Sequence, residues 1–379
     1  MENLINEKEE KISLYSSSGG KVIISGEHSV VYGKPALAFS IDKQTKMDLL
    51  CYKFSSSSDF AEINLSDLDI KIIITKPEII DIINNINKQN NFENKNDKHR
   101  THILYVCSIF IKKILKDDIS KKQEIINYIN DHFFKIKISS EIPVGFGLGS
   151  SAAYNVCIIN GISILINKLI GKEIFNKNEI LHLSNEGEKI FHGTPSGIDV
   201  SCSLNGGIII FENIDKQRNI DISDKNFFVE KIKYLLISTN IKRNGGEFIK
   251  KVSDFKKNNS KIFTETIDDI GKVTNDIINL ISKKISDDND CNKFFELIKL
   301  NQRLLKKICV SNEEIDKIIS LLENNGFVGK ITGAGGGGFI ISFVPNEKYE
   351  SLIKLLDSNK ISYMEIKISK EFAQVNCNI

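Results

Sequence analysis

The sequence has no tryptophan, no CxxC pair and almost no net charge. Its seven cysteines stand singly at 51, 107, 157, 202, 291, 309 and 377. An odd count without paired spacing argues against a disulfide framework and a structural zinc site, and fits a reducing compartment. The formal charge is +2, from 51 Lys and Arg against 49 Asp and Glu. Basic pairs such as Lys250-Lys251 and Lys256-Lys257 have acids interleaved with them, so no nucleic-acid surface is expected. The opening residues, MENLINEKEEK, are charged and hold no apolar leader, so no signal peptide is expected. The apolar run near 156–170 contains Asn160 and Asn167 and falls short of a membrane span. Cys377 is third from the end, so no C-a-a-X motif is expected. No internal repeat or coiled coil is visible, and no exposed apolar helix face marks a dimer surface. The missing tryptophan, with heavy use of Ile, Lys and Asn, reads as nucleotide bias in the source genome. The expectation is a cytoplasmic protein with neither nucleic-acid nor membrane partners.

With 379 residues, 41% of them hydrophobic and 26% charged, the chain is expected to build two globular domains. Residues 12–50 alternate apolar and polar positions with turn signals between, as hairpins do. Lys21–Ser25 and Pro35–Ile41 read as strands, with a turn at Gly26-Glu27-His28 between them. A short helix near 77–86, a polar surface loop at 83–100 and a helix at 101–116 follow. The polar segment Asn213–Asn226 reads as a boundary, giving domains at 1–224 and 225–379. Beyond it, strands near 229–238, 328–332, 338–344 and 361–369 alternate with helices. That is an α+β layout, helices packed on a small sheet.

Two glycine runs carry the chemistry. Gly145, Gly147 and Gly149 lie between a strand at 133–138 and a long apolar segment, with Ser150 and Ser151 where a helix should begin. One reading is a tight turn before a serine-capped core helix. The other is a phosphate cradle, because the first N–H groups of a helix have no internal partner and carry partial positive charge. The second run, Thr332-Gly-Ala-Gly-Gly-Gly-Gly338, also sits between strands. Four consecutive glycines are not expected for packing, since each costs roughly 1 kcal/mol of backbone entropy. The flanking strands favour a backbone surface lining a ligand site over a flexible linker.

Glu188 and Asp199 bracket a Gly-Thr-Pro-Ser-Gly break. Taken singly, each acid reads more readily as a solvated helix-end charge. As a pair they suit phosphoryl transfer, where one carboxylate holds a divalent ion with a hydroxyl and the other accepts the alcohol proton. Lys21 follows Gly19-Gly20 and is expected beside a turn; a lysine near Asp199 would stabilise a developing alkoxide.

Three blocks in order resemble the GHMP kinases, the family of galactose, homoserine, mevalonate and phosphomevalonate kinases. They are Ser18–His28, Ile142–Ala152 and Lys330–Gly338, and the resemblance spans about residues 15 to 370. Gly187-Glu-Lys-Ile-Phe-His-Gly-Thr-Pro-Ser-Gly-Ile-Asp199, Gly33–Ala38 and Ser150–Tyr154 are most similar to the mevalonate kinases. The resemblance implies an N-terminal domain like ribosomal protein S5 domain 2 and a ferredoxin-like C-terminal domain. It implies ATP as co-substrate, Mg²⁺ as cofactor and phosphorylation of the mevalonate C5 hydroxyl, on the route to isoprenoids and sterols. Asp199 would be the base and Lys21 would sit between that hydroxyl and the γ-phosphate. Ser140, Gly145, Phe146, Gly147, Leu148, Gly149, Ser150 and Ser151 would cradle the phosphates. Ser151 and Glu188 would hold the metal. Glu27, His28, Gly333 and Ala334 would lie toward mevalonate. Relatives are often homodimers. Rival readings are a phosphomevalonate or homoserine kinase, or a non-catalytic ligand sensor on the same fold. Two departures stand out: the family usually has Ala-Pro at Ser18-Gly19, which would loosen the turn before Lys21, and Thr at Gly245.

Overall fold

The computed structural model describes residues 12–53, 57–86, 97–220, 230–242, 245–283, 288–371 and 373–378. Its first strand, β1 (Ile12–Ser25), runs antiparallel to β2 (Ala36–Lys53), with a bulge between Gly19 and Lys21. The expected turn at Gly19-Gly20 is therefore absent, and the strand passes straight through both glycines. A Cβ on Gly19 would stand 2.5 Å from Ser40 Oγ, and one on Gly20 2.9 Å from the Leu148 carbonyl oxygen. These glycines permit close approach rather than reversal, so the Ser18-Gly19 departure loosens no turn. Ser18 Oγ is itself held, donating to the Ser203 carbonyl at 3.0 Å.

The long strand β2 organises the first sheet. One edge carries β1. The other edge carries β5 (His132–Ser140) against residues 45–53 and β6 (Ile208–Asn213) against residues 36–39. Beyond β5 lie β3 (Asp59–Leu65), parallel to it, and β4 (Ile70–Thr75). β7 (Lys216–Ile220) pairs with β6, inside the polar segment expected as a boundary. The cut at residue 224 falls in 221–229, outside the described residues. The strand β12 (Gln374–Asn378) returns to pair with β1, so the end of the chain sits with the first sheet.

Among the described residues, the helices α1 (Lys76–Asn84), α2 (Lys98–Asp117), α3 (Lys122–Asp131), α4 (Ser150–Ile170), α5 (Lys177–His192) and α6 (Ile198–Asn205) belong with this sheet. α1 starts at a capping box in which Thr75 and Glu78 satisfy each other's backbone, with Pro77 in the first turn. Of the loop expected at 83–100, residues 87–96 lie outside the described residues and 98–100 already belong to α2. α4 is long and apolar enough to cross a membrane by length and composition, yet it is packed between β1, β2, α5 and α6. Its apolarity is that of a core helix, buried along most of its length from Ala152 to Leu165.

The second sheet has the order β11-β8-β10-β9, all antiparallel: β8 (Ile232–Ser238), β9 (Gly329–Ile331), β10 (Phe339–Pro345) and β11 (Tyr363–Ile366). Read in chain order this is the 4-1-3-2 arrangement of a ferredoxin-like layer. Its helices are α7 (Gly245–Asn258), α8 (Ser260–Ser282), α9 (Asp288–Lys307), α10 (Glu313–Asn324) and α11 (Tyr349–Ser358). α8 buries Phe263, Ile267, Ile270, Thr274, Ile277 and Ile281, the three-and-four spacing of one helical face. Gly245 opens α7; Arg243 and Asn244, in the same departing segment, lie outside the described residues. The two layers share a core. Val22, Phe39 and Ile41 cluster with Tyr234, Phe263 and Ile270, and the rings of Phe39 and Tyr234 are 5.3 Å apart.

Candidate active site

The first glycine run folds over Lys21. Gly145, Gly147 and Gly149 have φ of 84°, 85° and 74°, a region that side chains disfavour. Gly149 is the residue that caps α4, so the helix start is glycine-capped rather than serine-capped. The carbonyl of Leu148 accepts from the Lys21 backbone N–H at 2.8 Å, and that of Gly147 accepts from Lys21 Nζ at 3.0 Å. A Cβ on Gly149 would lie 3.0 Å from Lys21 Cγ. The lysine side chain is thus fixed under the loop, 3% exposed, with Nζ 3.3 Å from Asp199 Oδ1. Asp199 stands in the first turn of α6, which Gly197 caps at φ 91°, and its side chain is 37% exposed. A sheltered ammonium therefore faces a carboxylate that remains open to a ligand.

Beside this pair, Ser151 in the first turn of α4 donates to Glu188 Oε2 at 3.1 Å. Glu188 is 2% exposed, on the buried face of α5. Burial pushes its carboxyl up to about 7; the Asp199 charge adds to this, while Asn155, Ser151 and Lys21 oppose it. Asn155 Nδ2 donates to Glu188 Oε1 and, at 3.1 Å, to the Ser151 carbonyl. His192 Nε2 lies 2.9 Å from Ser151 Oγ and 3.7 Å from Glu188 Oε2. Sequence reasoning does not single out Asn155 or His192. Their spacing was the available signal: each lies four residues after Ser151 or Glu188, on the same helical face. A hydroxyl and a carboxylate oxygen this close are hard donors that fit Mg²⁺. Among the described residues no three His, Cys, Asp or Glu side chains converge on a metal position, so such a site depends on the serine.

A cleft of about 290 Å³ opens next to these groups, lined by Ser140, Gly145, Ser150, Ser151, Val144 and His192 among others. Ser140 Oγ is shared between Thr45 Oγ1 at 2.9 Å and the Ile142 N–H at 3.2 Å. Phe146 turns away from the cleft, its ring 5.3 Å from that of Phe339.

The remaining sequence candidates gather at the other side of Lys21. Glu27 is 2% exposed and forms an ion pair with the fully buried Lys330, whose Nζ also donates to the Ile331 carbonyl. Burial raises the Glu27 carboxyl and lowers the Lys330 ammonium, and the pairing opposes both shifts. Lys330 opens the third family block, yet its pairing with Glu27 was not expected, because the two lie far apart in the chain. His28, at φ 60°, places Nε2 3.1 Å from the Ala334 carbonyl and so ties the β1–β2 connection to the second glycine run. Thr332 Oγ1 accepts from the Ile23 N–H at 3.0 Å. Contrary to expectation, the four glycines do serve packing. A Cβ would stand 2.3 Å from the Val310 carbonyl at Gly335, 2.1 Å from the Phe248 ring at Gly336 and 2.7 Å from the Ile241 carbonyl at Gly337. The run is buried apart from Ala334.

Comparison with known proteins agrees with this architecture. The family model for the GHMP kinases N terminal domain matches residues 111–207, and that for GHMP kinases C terminal matches 282–355. The mevalonate kinase of Candida albicans is 30% identical over 88% of this chain and 82% of its own length. That of Methanocaldococcus jannaschii is 30% identical over 90% and 95%. A crystal structure of a mevalonate kinase superposes with a TM-score of 0.69 at 29% identity, covering 94% of this chain and 99% of that one. The chain belongs to the GHMP kinase family, on its mevalonate kinase branch.

Proposed function

We propose that this chain transfers the γ-phosphoryl group of ATP to the C5 hydroxyl of mevalonate, giving 5-phosphomevalonate and ADP. The observation that carries the reading is the Lys21–Asp199 pair, 3.3 Å apart beneath a glycine loop that leads into a helix N-terminus. Phosphoryl transfer asks a protein mainly for positioning and charge stabilisation. The N–H groups at the start of α4 and the loop before it receive the triphosphate, which settles in the cleft beside Ser140 and Ser150. Asp199 takes the hydroxyl proton as the new P–O bond forms, and Lys21, held by the Gly147 carbonyl, stabilises the alkoxide and the transferring group. Ser151 and Glu188 would hold Mg²⁺, which supplies charge neutralisation at the phosphate oxygens when bound. His28, Gly333 and Ala334 lie toward the acceptor; Glu27 acts through its pair with Lys330 rather than by direct contact. The partners are small molecules and the setting is the cytoplasm.

The test is ATP consumption by the purified chain with Mg²⁺, offering mevalonate, phosphomevalonate, homoserine and galactose separately. Turnover on mevalonate alone is expected. Turnover on a different acceptor sinks the substrate assignment and leaves the ATP site; ATP binding without turnover on any of them favours a ligand sensor.

A further inference from the structure

Three side chains, not two, converge beside the α4 N-terminus. Ser151 Oγ, Glu188 Oε2 and His192 Nε2 form a triangle with edges of 3.1, 2.9 and 3.7 Å. Donors held at 2.0–2.1 Å in adjacent positions around an octahedral ion lie about 3 Å apart. The two edges that meet at Ser151 match that spacing, the Glu188–His192 edge at 3.7 Å is wider, and Ser151 and His192 both line the cleft. α5 builds this geometry, placing His192 one turn after Glu188, and Asn155 pins the carboxylate from behind. An oxygen pair alone suits hard ions. An imidazole nitrogen added to it suits first-row transition ions.

We propose that His192 is a third protein ligand of the metal position, adding an imidazole nitrogen to the oxygens of Ser151 and Glu188. The inference rests on the reading of Ser151 and Glu188 as metal ligands. It concerns how tightly the site holds its ion, and it leaves the roles of Asp199 and Lys21 as described. His192 ends α5 with a side chain 59% exposed, so its replacement removes no core packing.

Pulsed electron paramagnetic resonance of Mn²⁺ bound to the full chain reads nitrogen coordination directly, with no dependence on turnover. Wild type, H192A and E188Q are compared in the presence of ADP, alongside Mn²⁺ and Mg²⁺ affinities and thermal melts. The wild type is expected to show imidazole nitrogen modulation that H192A lacks. Mn²⁺ affinity should fall at least about tenfold in H192A, the scale on which even outer-shell partners act. Tight Mn²⁺ binding by both wild type and H192A, with no nitrogen modulation in either, overturns the inference while a loss in E188Q keeps the metal reading. No difference between wild type and E188Q overturns both. If H192A instead weakens ADP binding in the presence of chelator, the imidazole reads phosphate and the ligand proposal fails.

Discussion

Gly338 is packed against the carbonyl of Phe146: a Cβ on Gly338 would stand 2.5 Å from that oxygen. The two glycine runs, nearly two hundred residues apart in sequence, thus meet backbone to backbone beside Lys21. Gly338→Ala should displace Phe146 and, with it, the loop whose Gly147 carbonyl holds Lys21 Nζ. The expected outcome is a rise in the KM for ATP of about tenfold and a lower kcat, since small misplacements cost that much in positioned reactions. Gly326→Ala is the control. Its φ of 76° imposes the same backbone strain, of order 1 kcal/mol, but nothing lies within 4 Å of the added Cβ. Equal kinetic losses in the two variants would sink the idea that the runs act as one unit.

The Glu27–Lys330 pair makes a second prediction, on stability. Both side chains are at most 1% exposed, so removing either partner strands a charge. Lys330→Met or Glu27→Leu should each cost about 3–5 kcal/mol in urea unfolding. The double variant should recover much of that loss, because two apolar side chains of similar volume leave no charge behind. Additive losses would show that the two residues act separately.

Glu188 makes the third, on pH. Its folded carboxyl is raised to about 7 from an ordinary 4.5, so the folded state holds a proton that the unfolded state releases between those values. Stability is fully present below the lower value and declines as pH rises through the upper one. A shift of that size corresponds to about 3 kcal/mol. In metal-free buffer Glu188→Gln, which carries no charge at any pH, should match wild type near pH 4 and exceed it by roughly that amount above pH 8. Thermal melts across this range check it. A stability difference that stays flat with pH would mean Glu188 is not held as a strained buried acid.

Much of the site was legible before the fold because its residues obey local rules. Gly145, Gly147 and Gly149 need positive φ, and glycine is the residue that adopts it freely. Asp199 follows a Pro-Ser-Gly break that stops one helix and starts the next. What was hidden depended on distant contacts. Gly19 and Gly20 resembled a turn because nothing local announces Ser40 or Leu148 across the sheet. Lys330 stood only as the start of the third family block, because its partner Glu27 is about three hundred positions away. Strands β7 and β12 were missed because edge strands can be polar on both faces, and Lys216–Ile220 and Gln374–Asn378 are mostly exposed. The second glycine run lies between strands as expected, but the expectation that it does not serve packing fails: its glycines make room for Val310, Phe248 and Ile241.

Asp199→Asn tests the chemistry most directly. The amide keeps the size and hydrogen-bonding shape of the carboxylate but cannot accept the hydroxyl proton. The side chain is 37% exposed, and the sheltered Lys21 ammonium that loses its counter-ion keeps its bond to the Gly147 carbonyl, so the fold should hold. If Asp199 is the base, kcat should fall by about two to four orders of magnitude, the range that proton transfer by a positioned group supplies. ATP affinity, measured by equilibrium binding, should stay within a few-fold of wild type, because the glycine loop and the start of α4 are untouched. Lys21→Met should differ in kind. It removes the cation that lies between Asp199 and the loop, as well as the contact to the Gly147 carbonyl, so it should weaken ATP binding and turnover together. A near-normal kcat for Asp199→Asn with ATP binding intact would assign the proton to another acceptor and leave the Lys21–Asp199 pair a structural ion pair.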